Sequence, residues 1–212
     1  QRQRNLRLWK LLLDLRPLPL ASRPFSRPAM TEKMFAVLVP IIEHEDGPRI
    51  LLMKRPERET DSYSGQVCLP GGALESDDGS LLDCALREAD EELGIPAESV
   101  EIIAELDWQE TGFRHAVKPF VGWLATSPEI RPNPSEVEHV LYLPAARVEA
   151  GLFKKRGDWI DQRGKEREIL TFELDGFEVW GLTARILEHG FISGSEASGI
   201  RKKIEDFPCS GS

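Results

Sequence analysis

Long apolar runs and cysteine are both scarce in this chain of 212 residues. No apolar run approaches the ~20 residues of a membrane span, so the sequence predicts no membrane partner. The three cysteines, Cys68, Cys84 and Cys209, have neither the spacing of a metal site nor the even count of a disulfide framework. A reducing compartment is the simplest interpretation, and we expect the cytoplasm.

Basic charge is also scarce beyond the first thirty residues. The chain carries 27 Lys and Arg against 36 Asp and Glu, a net charge of −9. Residues 1–30 hold seven bases and one acid, which leaves 27 − 7 = 20 bases and 36 − 1 = 35 acids, a net of −15. Such an acidic body repels nucleic acid, so we expect no nucleic-acid partner. A small polyphosphate could still bind where metal ions and a few bases neutralise the site.

Composition divides the chain into three parts. Residues 1–30 form a basic, Pro-rich extension, residues 31–192 form the predicted domain, and residues 193–212 form a polar tail that we expect to fray. The extension is Arg-rich and nearly free of acids, as transit peptides are, which makes a mitochondrial location the alternative to the cytoplasm. The alternatives to a transit peptide for residues 1–30 are a helix packed on the domain and an extension of little consequence.

Strand-like and helical patterns are mixed along residues 34–189. Their order is neither a run of strands nor a regular βαβ alternation, which favours an α/β fold with a mixed β-sheet and helices on both faces. The clearest helix has Asp78 and Ser80 as candidate N-caps, Gly94 at the position of a left-handed C-cap, and Pro96 beyond it. The predicted strands are 34–42, 49–55, 66–69, 100–106, 117–124, 137–143, 168–174 and 177–180, and the predicted helices are 80–93, 145–151 and 182–189.

Three carboxylates lie on one face of the predicted helix 80–93. Glu88, Glu91 and Glu92 fall within about 100° of one another at 3.6 residues per turn. Carboxylates crowded in this way repel one another unless a cation lies between them. Hard oxygen ligands favour Mg²⁺ or Mn²⁺, so the sequence predicts a divalent-metal site at these residues. For the helix alone, a solvated acidic surface is the alternative.

A glycine loop and an arginine accompany this acidic face. Gly71 and Gly72 let the backbone approach a metal or a phosphate without a Cβ in the way. Arg87, four residues before Glu91, can hold that carboxylate by a charge-assisted hydrogen bond. The loop, the Arg-Glu pair and the C-terminal Gly94, in this order, favour the metal site over a plain acidic surface.

The run Arg87–Ile95, READEELGI, preceded by Pro-Gly-Gly, resembles the signature of the Nudix hydrolases. The resemblance implies a Nudix-type α/β/α sandwich that cleaves a nucleoside diphosphate linked to another group, with a divalent metal. The second half of the signature matches fully. The first half is one residue longer than usual between Gly72 and Arg87, and its usual Glu is absent from the region held by residues 77–79.

The longer spacing is similar to the coenzyme A diphosphatase branch of that family. Four further segments resemble this branch, namely residues 51–55 (LLMKR), 64–72 (SGQVCLPGG), 131–137 (RPNPSEV) and 180–184 (WGLTA). The branch implies hydrolysis of coenzyme A or a derivative to 3′,5′-ADP and 4′-phosphopantetheine. Its usual arginine four residues before Gly65 is Asp61 here, and Arg58 is the candidate that compensates.

The resemblance also implies roles for single residues. Glu88 and Glu92 hold the metal, Glu91 is a further ligand or the base, and the Gly72 carbonyl completes the metal shell. The catalytic set is then Glu91, Glu88 and Arg87. Separately, Arg55 and Lys54 lie at the end of a strand that leads to the loop and, with Gly71 and Gly72, are the candidates for substrate binding; a solvated strand end is the alternative for the two bases. Weaker candidates are a basic cluster for a 3′-phosphate, an extra catalytic acid and two rings for adenine stacking: Arg114, His115, Lys118, Glu136, Trp108 and Trp123.

Two alternatives to the coenzyme A hypothesis remain at this level. One is a Nudix hydrolase of another nucleotide, such as ADP-ribose or a dinucleotide. The other is a catalytically silent binding module, against which the four retained charges of the signature argue. We expect a small-molecule nucleotide as the partner, and a homodimer is compatible with the sequence.

Overall fold

A mixed sheet lies at the centre of the fold, and a smaller antiparallel sheet accompanies it. The computed structural model describes residues 33–59, 63–111, 115–124, 128–160, 166–194 and 197–206. The strands of the eight-stranded sheet are β1 (Met34–Ile42), β2 (Arg49–Lys54), β3 (Val67–Cys68), β4 (Gly71–Ala73), β5 (Val100–Glu105), β6 (Gln109–Glu110), β7 (Ala116–Leu124) and β8 (His139–Pro144). Those of the three-stranded sheet are β9 (Lys154–Ile160), β10 (Glu166–Leu174) and β11 (Phe177–Trp180).

Helices cover both faces of the larger sheet. They are α1 (Leu81–Leu93), α2 (Ala145–Glu149), α3 (Leu182–Glu188) and α4 (Ala197–Asp206), with a short 3₁₀ helix at Ala97–Ser99 and a π-helix at His189–Ser193. Among the described helices, none is long and apolar enough to cross a membrane.

Strand β1 organises the sheet because its two edges have different partners. One edge pairs in parallel with β7 along its whole length, from Met34 opposite Ala116 to Ile42 opposite Leu124. The other edge is shared between β4 and β2, both antiparallel. The short strand β4 therefore inserts the glycine pair into the sheet beside the first half of β1.

The larger sheet is buried on both faces, and alternate side chains of its strands belong to opposite hydrophobic clusters. Along β1, Ala36 and Leu38 belong to the cluster that contains α1, while Val39 and Ile41 belong to the opposite cluster. The first cluster includes Cys84, Ala85, Ala89 and Leu93 of α1, and the second includes residues of α3, the π-helix and α4. The α/β/α sandwich with a mixed sheet is confirmed.

Some elements differ from the sequence-based expectation. The structure adds β4, β6 and β9, which carry few apolar residues and take their place from pairing with neighbouring strands. The expected frayed tail from Ser193 onward is wrong over Ala197–Asp206, where the structure has α4. Ala197 and Ile200 are buried there, since residues three apart share one helical face.

Candidate active site

Helix α1 carries the acidic face and is fixed at both ends. Ser80 is the N-cap, because its Oγ accepts from the backbone N–H of Asp83 at 3.1 Å. Gly94 adopts φ 66°, and its N–H donates to Asp90 O at 2.8 Å. The apolar stripe of α1 faces the sheet, so the helix cannot rotate without exposing it. The carboxylates of Glu88 and Glu92 consequently lie beside β4.

Glu92 lies almost fully buried beside the glycine loop, with 2% of its surface exposed. Its Oε2 accepts from the Gly71 N–H at 2.9 Å. The pKa of Glu92 is raised to about 8, chiefly by burial. The charges of Glu88 and Glu136 also raise this pKa, whereas the hydrogen bond from the Gly71 N–H and the charge of Arg55 lower it. These four residues therefore bear on one buried carboxyl group.

Glu88 approaches the loop just as closely. A Cβ on Gly72 would overlap the Glu88 carboxylate, so any larger residue there would displace that carboxylate from its present position. Burial raises the pKa of Glu88, the charge and hydrogen bond of Arg87 oppose it, and the charge of Glu136 adds to it. The charge of Glu136 thus disfavours the ionised form of both Glu88 and Glu92, and the charge of Glu88 disfavours that of Glu92.

Arg87 joins the two halves of the signature. Its Nε and one terminal nitrogen bind the two carboxylate oxygens of Asp78 at 2.9 and 3.0 Å. Its other terminal nitrogen lies 3.1 Å from both Glu88 Oε1 and Glu91 Oε2. The hydrogen bonds from Arg87 lower the pKa of Asp78 to about 2. Asp78 is therefore the ion-pair partner of Arg87 and not the N-cap, and it supplies an acid where the signature lacks its usual Glu.

Glu91 differs from Glu88 and Glu92 in its exposure, although its charge also raises the pKa of Glu88. Its carboxylate is held by Arg87, and its side chain remains 55% exposed. The residues that the structure describes include no group of three His, Cys, Asp or Glu side chains ready to hold a metal ion. Glu88 and Glu92 do fit a hard cation, because both are carboxylates whose ionised form is disfavoured by burial, and the charge of Glu88 disfavours that of Glu92 further.

The two predicted phosphate contacts at the end of β2 have separate surroundings. Lys54 is buried, and its Nζ contacts Glu138 Oε2. The positive charge of Arg55 lowers the pKa of Glu92. Arg58 donates a hydrogen bond to the carbonyl of Ser135. Asp61 lies outside the described residues.

The weaker candidates are engaged elsewhere or lie outside the described residues. His115 stacks on Phe35 with ring centres 4.9 Å apart. Lys118 Nζ donates to Leu106 O at 2.9 Å, and Trp123 is a core residue. Trp108 is half-buried, and Arg114 lies in an undescribed segment. Glu136, by contrast, lies with the acids of α1, a neighbourhood that its place in the chain gave little means to predict.

Comparisons with known proteins identify the family of this chain. A NUDIX domain model matches residues 32–163. A relative named uncharacterized Nudix hydrolase NudL, from Pectobacterium atrosepticum, is 35% identical over 164 residues, which cover 77% of this chain and 84% of the relative. One of the same name from Enterobacter sp. is 36% identical over 164 residues, covering 76% and 83%. The chain therefore belongs to the Nudix hydrolase family.

Solved structures with a similar arrangement include two nucleotide-related Nudix proteins. The NUDIX domain of Shewanella oneidensis NrtR complexed with ADP ribose aligns with a TM-score of 0.44 and 20% identity, covering 57% of this chain and 77% of that one. A C. elegans Ap4A hydrolase aligns with a TM-score of 0.45 and 17% identity, covering 53% and 80%.

Membership of the family defines the class of reaction. The chain is a hydrolase that acts on pyrophosphate bonds, with nucleoside diphosphate derivatives as the substrate class. Nudix hydrolases generally use divalent metal ions for this reaction.

Proposed function

We propose that the chain hydrolyses the diphosphate bond of coenzyme A or one of its derivatives, giving 3′,5′-ADP and 4′-phosphopantetheine. Water adds to one phosphorus, the bond from the bridging oxygen to that phosphorus breaks, and two phosphate monoesters and protons leave. The four segments similar to the coenzyme A diphosphatase branch support this choice over other nucleotides.

The observation that carries the proposal is the meeting of three of those segments around Glu92. Residues 64–72 contribute the Gly71 N–H, residues 131–137 contribute the Asn133 N–H that donates to Glu92 O at 2.9 Å, and residues 51–55 contribute the Arg55 charge. Segments distant in the chain thus converge on one residue of the signature, two of them on the Glu92 carboxylate and the third on its backbone carbonyl. This is the arrangement expected if they recognise one diphosphate substrate.

Glu88 and Glu92 are the residues that would hold Mg²⁺ or Mn²⁺. Mg²⁺ is usually held by one or two carboxylates together with substrate phosphates and water, which suits this pair. A divalent ion bound there supplies Lewis-acid polarisation of a phosphoryl oxygen and a water of lowered pKa. The Gly72 carbonyl, which accepts a weak hydrogen bond from Cys84 Sγ at 3.7 Å, borders the same pair.

Two further carboxylates could take the proton of the attacking water. Glu91 is paired with Arg87 and is mostly exposed. Glu136 bears electrostatically on both Glu88 and Glu92. We infer that Glu136 is the proton acceptor and that Arg87 orients Glu88 and Glu91. If this is correct, Glu136→Gln lowers kcat more than Glu91→Gln does.

The test is mass spectrometry of products formed from coenzyme A with Mg²⁺ or Mn²⁺. We expect 4′-phosphopantetheine and 3′,5′-ADP, and in ¹⁸O-labelled water the label identifies the phosphorus that is attacked. ADP-ribose and a dinucleotide belong in the same panel, with Glu92→Gln as the control for contaminating enzymes. Hydrolysis of ADP-ribose far faster than that of coenzyme A would replace the proposed substrate.

A further inference from the structure

The loop of residues 131–137 binds backbone groups that a helix end leaves open. The last carbonyls of an α-helix have no partner inside the helix. At the end of α1, the N–H of Arg131 donates to Leu93 O at 2.8 Å, and that of Asn133 donates to Glu92 O at 2.9 Å. The loop is therefore attached to the backbone of Glu92 itself.

Both polar atoms of the Asn133 side-chain amide form hydrogen bonds. Its Oδ1 accepts from the backbone N–H of Ser135 at 3.1 Å and from the Ser135 hydroxyl at 2.7 Å. Its Nδ2 donates to Glu136 Oε1 at 3.1 Å. The partners define the orientation of the amide, because a backbone N–H only donates and a carboxylate only accepts.

The backbone of the loop is also held by hydrogen bonds. The Asn133 carbonyl accepts from the N–H of Glu136 at 2.9 Å and from the N–H of Val137 at 2.8 Å. Val137 is buried in the same cluster as α1, which anchors the far end of the loop. A glutamate side chain has several rotatable bonds, so a fixed backbone alone does not set the position of its carboxylate. The bond from Asn133 Nδ2 supplies that constraint.

We propose that Asn133 is a positioning residue that directs the Glu136 carboxylate toward Glu88 and Glu92. One residue is thereby bonded through its backbone to the helix that carries the predicted metal ligands and through its amide to the predicted proton acceptor. The proposal rests on the role of Glu136 given under Proposed function, and it does not depend on which diphosphate is the substrate.

The ordinary alternative is that Asn133 only stabilises its turn. The two roles differ in what a substitution changes. A turn residue affects the free energy of unfolding and acts whatever occupies position 136. A positioning residue affects kcat more than KM, and its effect disappears once the carboxylate of Glu136 has been removed.

Asn133→Asp is the sharpest single change, because it keeps the size of the side chain and the acceptor for Ser135. It replaces only the donor to Glu136 with an oxygen that repels the carboxylate. We expect kcat to fall at least about 10-fold, with KM and the urea midpoint of unfolding nearly unchanged. Mn²⁺ affinity, measured by electron paramagnetic resonance, should not weaken. Ser198→Ala, at an exposed position of α4, is the control and should retain parent kcat.

The decisive measurement is the double-mutant cycle with Glu136→Gln, on whichever diphosphate of the panel the chain hydrolyses fastest. Asn133→Asp should lower kcat less than about 2-fold in the Glu136→Gln background. Equal losses in both backgrounds, a loss that follows unfolding or Mn²⁺ affinity, or parent kcat in Asn133→Asp would each overturn the positioning role. Parent activity of Glu136→Gln itself would overturn the proton-acceptor role and the positioning role together. Failure on coenzyme A alone would affect only the proposed substrate.

Discussion

Replacing Glu92 by Gln should make the metal-free protein more stable while it removes catalysis. Glu92 is 2% exposed and has a pKa of about 8, against an ordinary value of 4.5. Between these values the native state holds this proton more tightly than the unfolded state does, so the free energy of unfolding falls as pH rises. Gln has the same shape and can still accept from the Gly71 N–H, but it has no charge to bury.

The size of the effect follows from the pKa difference. Each pH unit corresponds to about 1.4 kcal/mol, so the interval from 4.5 to pH 7 amounts to roughly 3 kcal/mol. Glu92→Gln should therefore gain almost nothing at pH 4.5 and about 3 kcal/mol at pH 7. The gain should level off above pH 8, where native Glu92 is ionised.

Urea unfolding in EDTA at pH 5.0 and pH 7.5 measures this gain, provided that both proteins show the same dependence on urea. Added Mg²⁺ should stabilise the parent and not the variant, because only the parent keeps the Glu88–Glu92 pair. Hydrolysis by the variant should fall more than about 100-fold. A gain that is absent, or equal at the two pH values, refutes the burial argument, and retained hydrolysis at saturating metal refutes the ligand assignment.

Three further substitutions examine the surroundings of this site. Asp78→Asn should lower kcat/KM about 10-fold, because Arg87 loses its charged partner and no longer orients Glu88. Gly72→Ala should lower kcat more than about 10-fold, since its Cβ would overlap the Glu88 carboxylate. Ile200→Ala should lower the free energy of unfolding by about 2–4 kcal/mol in urea titration and leave kcat nearly unchanged, because its 1% exposed side chain packs on the sheet face opposite α1.

Each of these changes has a matched control in the chain. Asp77 is exposed and accepts a hydrogen bond only from Ser76 among the described contacts, so Asp77→Asn should keep parent activity. A Cβ at Gly157 meets no atom within 4 Å, and Ser198 is exposed, so alanine at either position should be neutral. Equal effects of the Asp78 and Asp77 variants, or of the Gly72 and Gly157 variants, contradict the contacts described above. An Ile200→Ala protein as stable as Ser198→Ala would show that α4 does not pack on the core.

Helix α1 shows how far local patterns carry. Its apolar stripe, its Ser80 cap and its Gly94 terminus all depend on residues within one helix, and the structure confirms the predicted bounds to within one residue. The strands β1 and β11 have the predicted bounds, because their apolar and β-branched residues favour extended backbone in place.

Elements without such a pattern could not be predicted. The Gly-Gly-Ala of β4 has almost no side chain to read, and β9 is rich in charge, so each exists as a strand because a partner strand offers hydrogen bonds. In the same way, α4 has short apolar spacing and flanking Gly and Ser that resemble a tail. Burial of Ile200 against the core is what distinguishes it.

For the candidate site, the residue types came from the chain and the partnerships came from the fold. The signature was sufficient to identify a Nudix hydrolase and to single out Glu88, Glu91 and Glu92, because helical periodicity places them on one face. Their separate environments and the attachment of the loop of residues 131–137 to the end of α1 depend on contacts between segments about twenty to forty residues apart. Burial and hydrogen bonding across such distances are properties of packing, so they arise only once the sheet has brought the glycine loop, α1 and the loop of residues 131–137 together.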